Sequence, residues 1–147
     1  MMIRTLLGAA ALFAASAAGS TATERTVADS KDHHAHFMKC AKVCADCGIE
    51  CDMCFVHCRA LLAQGQKDHE GSMQMCADCA EVCKMAATLT ARQSALSMEA
   101  CDACAKACDK CAASCEKFPD NKHMAQCGKS CRECAKACRD MIQQIKA

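Results

Sequence analysis

From residue 40 onward one residue type recurs at helical spacing. Cys40, Cys44, Cys47, Cys51, Cys54 and Cys58 step by 4, 3, 4, 3 and 4, and Cys76, Cys79 and Cys83 step by 3 and 4. Cys101, Cys104, Cys108, Cys111 and Cys115 step by 3, 4, 3 and 4, while Cys127, Cys131, Cys134 and Cys138 step by 4, 3 and 4. Alternating steps of three and four keep every member of a block on one face of an α-helix. This is the stripe that leucine or isoleucine fills in a helical bundle, with lysine, aspartate, glutamate and alanine on the other faces. Breaks fall at Ala63 to Ser72, which holds Gly65 and Gly71, at Thr90 to Ser97, and at Phe118-Pro119-Asp120-Asn121. The middle break has neither glycine nor proline. Ser94 or Ser97 is expected to cap the third helix and Asp120 the fourth. The pattern predicts an all-α fold, an antiparallel up-down-up-down four-helix bundle with a cysteine-lined core over residues 33–147. The blocks also repeat one unit: Cys101 to Cys108 contains C-x-x-C-A-K-A-C, Cys131 to Cys138 has the same pattern, and Cys76 to Cys83 is a variant.

Composition sharpens the picture of the core. Of 147 residues 18 are cysteine, Trp and Tyr are absent and Phe occurs four times, so large apolar side chains cannot fill the interior. With 52% hydrophobic and 24% charged residues the balance is still that of a folded chain. Lys and Arg number 18 against 17 Asp and Glu, a net charge of +1, which leaves no field to gather nucleic acid or an anionic membrane surface. The first residues read differently from the rest. Arg4 precedes an apolar run from Leu6 to Ala15, followed by the small-residue site Ala15-Ser16-Ala17, the layout of a secretory signal peptide. The run is too short to span a bilayer. We therefore expect a signal peptide over 1–22, a linker over 23–32, and an exported, periplasmic protein that uses the general route, since no twin arginine is present.

Export raises a chemical question, because thiols in an oxidising compartment tend to pair. Neighbours at i,i+3 or i,i+4 on a helix have Cβ atoms about 5–6 Å apart, too far for the roughly 3.8 Å of a disulfide, so bridges within a block are strained. Bridges between facing helices stay open, and with them a disulfide-bearing or thiol-redox protein. Zinc-finger histidine pairs, the C-x-x-C-H of haem attachment and the proline-ended cluster motifs are missing. A column of thiols suits a soft, monovalent ion. Thiolate selects Cu(I), which accepts two sulfur ligands. Burying many thiolates is prohibitive unless each charge is cancelled, and one Cu(I) per thiolate cancels it, whereas zinc on four thiolates leaves two negative charges at every site. On this reasoning the 18 cysteines named above are candidate Cu(I) ligands, the chain is not an enzyme, and capacity approaches one ion per cysteine.

In an up-down-up-down bundle, His57, His69, Met73, Met75, Phe118, His123 and Met124 share one end, where histidine and thioether can pass an ion inward. His123 is carried as a candidate ligand beside its plainer reading as a solvated histidine at a helix start. His33, His34 and His36 read as a solvated lead-in to the first helix, and Met85, Met98 and Met141 as core filler. Leu89, Leu96, Met141, Ile142 and Ile145 gather at the opposite end, which is expected to be closed by aliphatic packing.

Between about Phe37 and Lys146 the chain resembles the four-helix-bundle copper storage proteins, and specifically their exported branch. The resemblance rests on cysteine stripes on all four helices, on the His57-Cys58 pair that ends the first stripe, and on Lys117-Phe118-Pro119 before the last helix. It implies storage of many Cu(I) ions by core thiolates. It also implies an open end at which His57 and Met73 serve as ligands, with Met75 added to them, and assembly as a homotetramer. The missing twin arginine and the unusually full set of cysteines depart from the exported pattern.

Overall fold

The structure, a computed structural model, describes the backbone of residues 21–146 and the side chains of residues 33–146. Four helices follow one another: α1 (Thr21–Ala63), α2 (Glu70–Ala91), α3 (Ser97–Cys115) and α4 (Lys122–Lys146), with a single 3₁₀ turn, Lys67–His69, before α2. No strand occurs among the described residues. Each helix packs against its neighbour in sequence and α4 closes against α1, so α1 and α3, like α2 and α4, face each other across the core. The four-helix bundle read from the stripes is borne out.

The connections show how the chain reverses. Gly65 ends α1 with φ +85°, its N–H bonded to the Leu62 carbonyl at 2.9 Å and the Gln66 N–H to the Leu61 carbonyl at 3.1 Å, the pair of bonds of a Schellman cap. The middle reversal repeats that geometry without glycine. Gln93 takes φ +50°, its N–H reaching the Thr90 carbonyl at 2.9 Å and the Ser94 N–H the Leu89 carbonyl at 3.0 Å. Ser94 accepts the Leu96 N–H through its Oγ at 3.2 Å, while the Ser97 hydroxyl turns back to the Leu89 carbonyl at 3.2 Å instead of capping α3. The fourth helix is capped one residue later than expected: Asn121 Oδ1 accepts the N–H groups of His123 at 3.1 Å and Met124 at 3.2 Å, leaving Asp120 in the turn.

Two further expectations are corrected. Residues 23–32, expected to be a linker, continue α1 as helix, since the stretch contains neither glycine nor proline to stop it. The signal-peptide segment lies outside the described residues apart from positions 21 and 22. Met85, expected in the core, faces out at 44% exposure, whereas Met141 is buried and Met98 half-buried. Among the described residues no helix is long and apolar enough to cross a membrane.

The core consists of all 18 cysteines with alanines and two methionines, Met124 and Met141. Small residues at the contacts set its width. An added side-chain carbon at Gly48 would meet Cys83 Cβ at 3.4 Å and the Ala80 carbonyl at 3.5 Å, which brings α1 and α2 close enough for facing thiols to touch. Outside, Asp109 of α3 and Glu116 just past its end pair with Arg132 and Arg139 of α4, the Arg132–Glu116 contact being two-pronged at 2.9 and 2.7 Å.

Candidate metal centre

The stripes project into the bundle as a stack of sulfur layers. Cys54, Cys76, Cys115 and Cys127 form one layer, with a sulfur from each helix, all within 4.8 Å of one another. Cys51, Cys79, Cys111 and Cys131 form the next, and Cys47, Cys83, Cys108 and Cys134 a third. Below these α2 runs out of cysteine, its stripe continuing as Ala86 and Thr90, both fully buried. The fourth layer, Cys44, Cys104, Cys134 and Cys138, therefore takes two sulfurs from α4, and the last, Cys40, Cys101 and Cys138, has three. Thr90 fills the missing corner, with Oγ1 3.5 Å from Cys101 Sγ. Along α1, Cys40 to Cys58 spans about 27 Å at the helical rise.

The layers are joined as closely as they are built. Cys76 lies 3.8 Å from Cys111, Cys47 3.8 Å from Cys131, Cys83 3.6 Å from Cys104, Cys134 3.8 Å from Cys44, and Cys44 3.5 Å from Cys138. Sulfur thus follows sulfur from one end to the other with no apolar gap. All 18 thiols are free, and these separations are far beyond a bond of about 2.05 Å.

Hydrogen bonding divides the thiols into two kinds. Contacts among the sulfurs pull at least one thiol of every layer below the usual range. These are Cys127, whose leading contact is with Cys111; Cys79, Cys47 and Cys104, with Cys108; and Cys40, with Cys101. Cys115, with Cys111 as its main donor, is lowered to about 5. Cys131, Cys134 and Cys83 are pushed the other way. The unloaded column is a network of thiols in mutual contact, able to share protons along its length.

At the end shared by the α1–α2 and α3–α4 turns, Cys58 stands outside the layers. Its Sγ and that of Cys54 each donate to the thioether of Met124 at 3.5 Å, and Met124 is fully buried on the column axis. His57 is half-buried. Both ends of the Asn121 amide reach His57 Nε2, Nδ2 at 2.9 Å and Oδ1 at 3.1 Å; Oδ1 also holds the helix cap, and with Nε2 unprotonated the amide donates to it. Burial first, then the neighbouring His123, holds His57 below its ordinary pKa and so keeps it neutral at pH 7. His123 is exposed and stacks on His57 with ring centroids 4.5 Å apart. His69 is buried, stacks on Phe118 at 4.0 Å, and its Nδ1 has no hydrogen-bond partner among the described residues. Met73 and Met75 are half-buried at the start of α2, against the edge of the core. The structure thus brings His57 and His123 together and puts Met124 on the sulfur column. Sequence reasoning placed Met124 at this end without naming it a ligand. Asn121 as the residue that orients His57 was missed, although an Asn directly before a helical run is a cap signal.

The opposite end is less sealed than expected. Met141 is buried and Leu89 and Ile142 pack against the core, but Leu96 is 57% and Ile145 37% exposed, because Leu96 sits in the turn before α3 and Ile145 on the last turn of α4. His33, His34 and His36 are exposed, and His34 Nδ1 meets Gln93 Nε2 at 2.7 Å.

The donor set and its sharing decide which ion fits. A tetrahedral site with metal–sulfur bonds of about 2.3 Å has sulfur–sulfur edges of roughly 3.8 Å, which a single layer could supply to zinc. Yet Cys134 belongs to two layers and Cys138 to the fourth layer and the triad. Separate four-thiolate sites cannot all be filled, and each would bury two negative charges. Bridging thiolates with monovalent ions meet both constraints.

Residues 33–143 match the copper storage protein family. Among solved structures, the Cu(I)-bound copper storage protein BsCsp3 is 32% identical, with 73% of this chain and 98% of that one covered at a TM-score of 0.67. A protein from Nitrosospira multiformis is 30% identical over 74% of this chain and 95% of its own, with a TM-score of 0.63. A cytosolic copper storage protein from Streptomyces lividans, described with five coppers, shares the fold at 23% identity, with 77% and 97% covered and a TM-score of 0.68. No curated protein matches the chain.

Proposed function

Since the chain belongs to the copper storage protein family, we propose that it is a non-enzymatic store that takes up many Cu(I) ions on its core thiolates, about one per cysteine. The observation that carries this reading is the unbroken sulfur column with thiolates shared between layers. Each ion enters as a thiol S–H bond breaks, an S–Cu bond forms and the proton leaves to solvent. Copper stays Cu(I), and the core remains neutral throughout filling. An anaerobic titration with Cu(I) in competition with a chromophoric chelator tests it. Uptake near the cysteine count of 18 is expected; saturation at one or two ions per chain would refute storage.

The open end is where Met124, Cys58, His57 and His123 meet, with Met73 and Met75 beside them. In this role neutral His57 offers Nε2 once the Asn121 amide turns aside, and Met124 hands the ion to Cys54 or Cys58, whose sulfurs it already touches. Replacing Met124 by Leu, a near-isosteric change, is expected to slow uptake while the helical content stays constant.

The N-terminal Arg4, the apolar run and Ala15-Ser16-Ala17 support export to the periplasm. The mature N-terminus of the protein recovered from a bacterial periplasmic fraction tests this, full-length protein in the cytosol being the contrary result. A homo-oligomer is supported by the outward stripe of Ile49 at 60%, Met53 at 51% and Val56 at 52% exposure, which lie on one face of α1 at i, i+4 and i+7. Light scattering on the parent and on Met53→Glu distinguishes an assembly from a monomer.

A further inference from the structure

We propose that the cleft between α1 and α4, at the end of the column farthest from His57, is a second port through which Cu(I) reaches or leaves the core. A cavity of about 260 Å³ opens there, and it is lined by His36, Lys39 and Cys40 of α1 and by Asp140, Met141 and Gln144 of α4. Cys40 is the one cysteine in that lining, and it belongs to the Cys40, Cys101, Cys138 triad that terminates the stack.

Three observations converge on this cleft. First, the terminal layer has three sulfurs rather than four, and Cys40 Sγ lies 3.9 Å from Cys101, so an ion received at Cys40 is already on the column. Second, the approach is lined by groups suited to a soft cation. His36 lies one turn outside Cys40 on the same helix and Met141 contributes a thioether, while the Asp140 carboxylate beside them is paired with Lys136 at 2.6 Å. Third, the aliphatic seal is thin. Met141 is buried and Leu89 and Ile142 pack against the core, but Leu96 and Ile145 are exposed, and none of these four aliphatic residues lines the cleft.

Transfer at this port is ligand exchange without redox change. Cu(I) leaves an external thiolate or chelator, the Cys40 S–H bond breaks as the S–Cu bond forms, and the released proton goes to the donor's freed ligand or to buffer. The donor class is a small Cu(I) complex able to reach a narrow cleft. The proposal rests on the storage reading, and the test separates the two.

Cu(I)-loaded protein is mixed anaerobically with excess chromophoric chelator, and the rate of removal is followed for the parent, for His36→Ala/Met141→Leu, for the mouth variant His57→Ala/Met124→Leu, and for the two combined. Parallel routes add, so the combined variant is expected to release copper severalfold more slowly than the mouth variant alone. Equal rates for those two would overturn the port. Total copper per chain is read on the same samples, so a capacity of one or two ions would instead overturn storage. A measurement on the unaltered apo protein guards against misfolded variants: brief alkylation with iodoacetamide followed by peptide mapping is expected to label Cys40 ahead of Cys51 and Cys131. Labelling of Cys58 and Cys54 with Cys40 untouched would count against the port.

Discussion

Thr90 occupies the position where the α2 stripe would set a further sulfur, and Thr90→Cys is a direct test of how charge balance sets capacity. The side chain is fully buried and its Oγ1 lies 3.5 Å from Cys101 Sγ, so a thiol there completes the three-sulfur layer as a fourth corner. If each added thiolate admits one monovalent ion, the variant binds one more Cu(I) than the parent. The unloaded bundle loses a methyl group in the exchange, about 0.8 kcal/mol of burial, while the hydroxyl–sulfur contact becomes sulfur–sulfur. A domain of this size then melts roughly 3 °C lower. Anaerobic native mass spectrometry resolves integer numbers of bound ions, and Thr90→Val, which adds no ligand, serves as the control. A folded Thr90→Cys protein with the parent's copper number would refute the reasoning. So would a rise of one ion in Thr90→Val.

Three other outcomes are expected. Gln93 holds φ +50° without being glycine, so Gln93→Gly should raise apo stability by about 1 kcal/mol in urea unfolding, and a lower midpoint would show that the turn is not strained. Asn121→Ala removes the cap of α4 and should cost about 1 kcal/mol, seen as a lower melting temperature, whereas Asp120→Ala should leave it nearly unchanged. Stability of the apo protein should fall as pH rises from 9 toward 11. Burial pushes the Cys58 thiol above 9.0; Cys138 pulls Cys101 down, but Cys40 and burial more than reverse this, to about 11, so the unfolded chain ionises first. Thermal melts across that range check the sign, and a melting temperature that rises with pH would contradict it.

Much of this architecture was written in the spacing of one residue type. The steps of three and four gave the helices, their inward faces and the membership of the column, because a period of 3.6 leaves a stripe no alternative but one side. What escaped the sequence depends on neighbours in space. That α4 supplies two sulfurs to the fourth layer follows from Ala86 and Thr90 replacing cysteine on α2, yet the pairing needs the relative heights of four helices. Asp120 and Asn121 are both good caps by type, and only the chain path past Pro119 selects Asn121. The middle turn carried no glycine signal because Gln93 itself adopts the left-handed conformation. The lead-in to α1 was read as a linker from its polar composition, although nothing in residues 23–32 stops a helix.

The small core that gives the column its capacity also governs its stability. Cysteine and alanine bury less apolar area than leucine, so the bundle must draw its helices close, as at Gly48 against Ala80 and at Gly128, where an added carbon would stand 3.6 Å from Cys115 Cβ. That closeness brings the sulfurs of facing helices within 4 Å of one another, so the property that limits the apo core also builds the binding sites. Ions that bind only the folded column stabilise it by mass action, in proportion to the number of sites filled. The protein should therefore be most stable when full. Its melting temperature should climb stepwise with added Cu(I), and a transition unmoved by loading would mean that the metal is held outside the core.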